Sequence, residues 1–140
     1  MNRSLAWGHF RQVLMLVMAP GIPSAVDWEE FLEDSHHDPG ETILVVAAET
    51  KLTPKQRAEV QAWQERHGTP SVLVTDSMLA RGVATALSWF GVRVTAFARQ
   101  DIDRALASAG IATADRTEAK FVIEGMVVAL EERRKHSLTG

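Results

Sequence analysis

The chain predicts an α/β domain: a mixed, mostly parallel sheet of four to five strands with flanking helices and a long C-terminal helix. Three observations predict it. Short apolar runs rich in Val, Ile and Leu alternate with stretches of helical period. Most of those stretches open on a capping residue and several close on glycine. The 140-residue length is the commonest size for one domain, so residues 1–140 are read as a single unit. Strands joined through helices should run parallel, because each crossover contains a helix.

Taken in order, Phe10 to Met18 reads as the first strand, its continuous apolar end suggesting burial on both faces. A short strand around Leu5 to Trp7 precedes it, with Gly8 at the bend. Pro20-Gly21-Ile22-Pro23 stops the strand, and Ser24 caps a helix with Asp27 three residues on. Trp28, Phe31 and Leu32 give that helix its inward stripe, and Asp34 to Gly40 reads as a turn. Thr42 to Ala48 is the second firm strand. Thr53, Pro54 and Gln56 form the clearest helix start in the chain: N-cap, first-turn proline and the far side of a capping box. Val60 and Trp63 are expected inside, and Gly68 ends the helix. Ser71 to Thr75 is the third strand. Asp76-Ser77 starts a helix with Leu79, Val83, Ala86, Leu87 and Phe90 on one face, stopped by Gly91. Val92 to Phe97 is the fourth strand. Asp101 caps a short helix holding Ile102, Leu106 and Ala109, closed by Gly110. Thr117 to about Arg134 is the last helix, through Val122, Ile123, Met126, Val127 and Leu130.

Composition narrows function. Hydrophobic residues at 46% and charged residues at 24% are ordinary for a globular chain, so the core needs no staple. There is no cysteine, which removes disulfides, thiolate metal sites and a thiol nucleophile, and fits a reducing, cytoplasmic setting. Net charge is −3 and no basic stripe is present, which argues against nucleic acid as a partner. Arg133-Arg134-Lys135 with His136 closes the last helix, where cations complement the carbonyl end. No membrane span is expected. The run Val13 to Ala19 after Arg11 begins late, is short and lacks an A-x-A site, so it is read as a strand and not as a signal peptide.

The segment Pro70 to Ser77, the helix to Trp89-Phe90, then Val92 to Phe97 and Asp101-Ile102-Asp103-Arg104-Ala105-Leu106 resemble the STAS-like family, and more closely its SpoIIAA-like branch. The order of elements extends the likeness from about residue 5 to 111, leaving about 112–140 as an added or extended helix. The resemblance implies a mixed sheet with helices packed on it and a non-catalytic adaptor or regulatory role in signalling of bacterial type, exercised through contact with a protein partner. Some members carry a phosphorylated Ser after an Asp at the helix start following the second firm strand. Here that place reads Glu49-Thr50-Lys51-Leu52-Thr53, without the pair, and Asp76-Ser77 lies one strand–helix unit later, so no phosphosite is transferred. Alternating order is shared with receiver domains, but the first strand ends Met18-Ala19-Pro20, which supplies no acid for their metal.

Ligands of α/β domains bind at the carboxyl ends of parallel strands. The candidates there are Thr50, Thr53, Asp76, Ser77 and Arg81: Ser77 at a helix start with Arg81 a turn later could hold a small anion, or Asp76 and Ser77 merely cap. Phe121, Met126 and Leu130 widen the apolar face of the last helix and are the candidate partner contacts, with a homodimer as one arrangement. His36-His37-Asp38 reads as a solvated turn, not a metal site. No G-x-S-x-G, H-E-x-x-H, P-loop or dinucleotide glycine pattern occurs, and no catalytic residue, cofactor or metal is assigned. Trp28, Trp63 and Trp89 are expected in the core, with Trp7 the exposed aromatic. The leading expectation is a protein-docking module, and the alternative is a domain binding a small anionic or lipidic ligand at the strand ends.

Overall fold

The computed structural model describes the backbone of residues 3–89 and 93–139 and the side chains of residues 3–85 and 93–132. Its architecture is the expected α/β one. β1 (Leu5–Phe10) and β2 (Val13–Met18) form an antiparallel hairpin, followed by α1 (Ala25–His37), β3 (Thr42–Ala47), α2 (Pro54–His67), β4 (Ser71–Val74), α3 (Met78–Trp89), β5 (Val94–Phe97), α4 (Ile102–Ser108) and α5 (Arg116–Thr139). The strands lie in the order β1-β2-β3-β4-β5, and β2 to β5 are parallel.

A right-handed crossover repeated in one direction puts successive helices on the same face of a sheet. The side chains agree for α1 and α2: Trp28, Phe31 and Trp63 pack with Leu14, Leu16, Met18, Ile43 and Ala47. The other face presents Val13, Met15, Val17, Leu44, Val46, Val72 and Val74 to Leu106 of α4, to Ala109 at its C-cap, and to Ala119, Ile123 and Leu130 of α5. There α4 lies over β4 and β5, and α5 over β1 and β2. Because β2, β3 and β4 bury alternate residues on opposite faces, their near-continuous apolar sequence follows from the layering.

Several boundaries differ from expectation. The run Phe10 to Met18 is broken at Arg11-Gln12, where Arg11 takes φ 54° and the chain turns back on itself. Gly8, expected at the bend, lies inside β1, where a side-chain carbon would meet Met126 Cε at 3.5 Å. Asp34 to His37 continue α1 because Ser35 is buried and its hydroxyl donates to Leu32 O, so the end cap falls at Asp38. Val60 is exposed. α2 buries Gln56 and Trp63, two turns apart, and at 3.6 residues per turn Val60 sits about 40–60° round from both.

In α3 the face turned inward carries Ala84, while Leu79 and Val83 are exposed. This helix packs chiefly on the four-residue β5, where a small side chain permits close approach. Its expected positions Ala86, Leu87 and Phe90, the stop at Gly91, the start of the fourth strand at Val92, and the Trp89 side chain lie outside the described residues. The basic cluster Arg133 to His136 likewise has no described side chains. Asp101 makes no side-chain cap; α4 is entered through a single tight turn, Arg99–Asp101. α5 starts one residue early, at Arg116, and runs to Thr139.

The capping box is present as the sequence predicts: Gln56 N donates to Thr53 Oγ1 at 3.1 Å and Thr53 N to Gln56 Oε1 at 3.0 Å. Thr53→Ala is therefore expected to cost about 1 kcal/mol, read as a lower urea midpoint at unchanged slope.

Candidate docking surface

Four loops meet at the carboxyl edge of the parallel strands, and backbone hydrogen bonds stitch them. Gly21 N donates to Glu49 O at 2.9 Å and Lys51 N to Gly21 O at 3.0 Å, joining the loops after β2 and β3. Asp27, buried in the first turn of α1, accepts from the Ser4 backbone at 2.6 Å and from its hydroxyl at 3.0 Å. The Ser4 hydroxyl in turn accepts from Ser24 N at 2.9 Å. Gln56 completes the lacing, donating from Nε2 to Pro23 O at 3.0 Å.

Four of the five polar candidates make hydrogen bonds to this scaffold. Thr50 Oγ1 donates to Ala19 O at 3.1 Å, and Thr53 is occupied in its capping box. Ser77 Oγ accepts from Ala80 N at 3.2 Å, which makes Ser77 the residue that caps α3. Asp76 Oδ1 accepts from Arg99 N at 3.0 Å and so fastens the loop after β5 to the one after β4. The fully buried Thr75 accepts from Ser77 N at 3.2 Å. Arg81 is half-buried, and its Nε is enclosed without a hydrogen-bond partner.

What the same edge leaves exposed is apolar. Ile22 and Val26, at the entry to α1, are 60% and 59% exposed; Met78 and Leu79, at the entry to α3, are 80% and 79% exposed. Periodicity pointed inward for Leu79 and gave no signal for the other three. The cleft at the ends of β2 and β3, bordered by Arg99 and Glu131, holds only about 90 Å³. A wider open trough of about 550 Å³ lies along β1 beside Val122, Gly125, Met126 and Ala129 of α5.

The candidates on α5 separate. Phe121 is 80% exposed, Met126 is partly buried against the core, and Leu130 is 3% exposed beneath the helix. Leu130 is thus a core residue and not a partner contact, since it lies on the turn that meets the β2 face. Val128, seven residues on from Phe121, is the second large apolar side chain turned outward. Trp7 is not the most exposed aromatic: its Nε1 donates to Asp34 at 2.9 Å and its ring packs edge-on against Phe31. Trp28 and Trp63 are buried as expected.

Ser77 and His67 do not share an edge. Ser77 follows the carboxyl end of β4, whereas His67 closes the helix that leads into the amino end of that strand. His36 pairs with His67, its Nδ1 standing 2.8 Å from His67 Nε2. Among the described residues no group of three or more His, Asp or Glu side chains could hold a metal ion. No described helix is long and apolar enough to cross a membrane.

No protein-family model matches the chain, and no curated protein matches it in sequence. The α/β class with its five-stranded mixed sheet therefore rests on the fold itself.

Proposed function

We propose that this domain is a non-catalytic, regulatory docking module of STAS-like type that binds a protein partner through the carboxyl edge of its parallel strands. The observation that carries this reading is the exposure of Ile22, Val26, Met78 and Leu79 along one edge where Thr50, Thr53, Asp76 and Ser77 each hydrogen-bond within the fold. Large apolar side chains held in water by a well-laced scaffold gain about 25 cal/mol for each Å² that a partner covers. A small anion would find Ser77 Oγ already accepting from Ala80 N, with a single O–H left to donate. At the strand ends a lipid tail would find a cleft well below the roughly 300–1,000 Å³ typical of small-molecule sites.

The test is affinity capture from native lysate with the wild-type chain, the double variant Met78→Asp, Leu79→Asp and the single variant Phe121→Asp, all first shown to fold by circular dichroism. A defined protein should be retained by wild type and by the Phe121 variant, and lost by the double variant. Equal retention by all three, or loss only with Phe121→Asp, would move the docking surface elsewhere.

A further inference from the structure

The contact between His36 and His67 joins the carboxyl ends of α1 and α2 at the amino edge of the sheet, opposite the surface proposed for docking. The two ring nitrogens are 2.8 Å apart, the ring centroids 5.1 Å apart, and the His67 ring packs at 4.9 Å against buried Trp63, tilted by 52°. Such a contact needs one N–H and one lone pair. It survives one added proton, because an imidazolium donates well to a neutral imidazole. A second proton removes the last lone pair and sets two cations face to face.

We propose that His36 and His67 form a proton-sensitive latch between α1 and α2, whose release uncovers the Trp63 side of the core. The surroundings favour one charge and resist two. Both rings lie in the last turns of their helices, where carbonyl ends favour a cation. Against the second proton stand Arg66 on α2 itself and Arg93, whose guanidinium reaches Gly68 O at 3.5 Å beside His67. Along α1, His37 adds no negative charge, and Asp34 and Asp38 are engaged by Trp7 and His9. Glu33 and Glu65, further acids on the two helices, make no ion pair with either ring. Burial first, then His36 and Arg66, hold the His67 pKa below its ordinary value.

The sign follows. A histidine whose pKa is lowered on folding favours the neutral form in the native state. The latch is therefore fully closed above the ordinary imidazole value of about 6.5, and it is lost only as pH falls through the lowered, second protonation step of the pair. The inference is independent of the docking proposal, since it concerns the other edge of the sheet.

The test is an NMR titration of the imidazole carbon-bound protons, with tryptophan emission followed in parallel, on wild type, His36→Gln and His37→Gln. His36 and His67 should titrate together in two steps separated by about one pH unit or more. A red shift of the emission should accompany the lower step. His36→Gln should leave His67 a single step and shift the pH at which emission changes, while His37→Gln should leave both unchanged. Independent single-step curves for the two rings in wild type would overturn the latch. So would an emission change at the same pH in wild type and His36→Gln. If His36→Gln fails to fold, coupling in the wild-type titration decides alone.

Discussion

Trp63→Ala is expected to destabilise the domain by about 3–5 kcal/mol, the range for emptying a buried aromatic site. The reason is specific to α2. Its buried residues are Gln56 and Trp63, and Gln56 is spent on the cap and on Pro23 O, so the indole is the main apolar anchor of this helix. It fills the space against the strand face that carries Ile43 and Ala47 and supports the His67 ring. Denaturant unfolding followed by circular dichroism measures it, and a change under about 1 kcal/mol would show that α2 is held by other means. Trp63→Phe should cost much less: it keeps the ring and removes an Nε1 that is buried without a partner.

Gly40→Ala should be the second most damaging single change. Gly40 has φ 69°, and a Cβ there would stand 2.8 Å from Gln12 O and 3.1 Å from Leu14 N, both backbone atoms. Left-handed backbone alone costs a residue with a side chain about 1–2 kcal/mol. Here the first residues of β2 must also shift, disturbing the register Val13↔Thr42 and Leu14↔Ile43 and the contact of Glu41 N with Gln12 O at 2.8 Å. The expected total exceeds the conformational cost alone. Gly68→Ala provides the comparison: φ 62° and nothing within 4 Å isolate the backbone contribution. If the two glycine variants unfold at the same denaturant concentration, the close approach at Gly40 carries no weight.

The layers of this fold were legible because burial of β2, β3 and β4 on both faces writes long apolar runs, and because Thr53, Pro54 and Gln56 spell a helix start by local chemistry. The hairpin turn was not legible. Arg11-Gln12 contains no glycine, asparagine or aspartate, and the left-handed Arg11 is imposed by the pairing of Phe10 with Val13 on either side. Helix orientation was the other gap. The face of α3 bearing Leu79 and Val83 has the stronger apolar pattern, yet both are exposed while Ala84 is buried. The same ambiguity decided the surface. Leu79 lies on a helix face whose apolar period suggests burial, and only the tertiary arrangement turns it outward. The hydroxyls flagged at the strand ends were correctly located, but their hydrogen bonds to loop and helix backbone depend on contacts such as Thr50 with Ala19, which sequence spacing does not encode.

The unbroken strand order has a consequence for recognition. Open α/β sheets form a ligand crevice where the chain reverses its direction of travel across the sheet and neighbouring loops part to opposite sides. From β2 to β5 this chain never reverses, so its connections leave the sheet side by side, and the cleft at the ends of β2 and β3 is only about 90 Å³. On the docking reading proposed above, such an edge would meet a partner as a ridge of loops and helix starts.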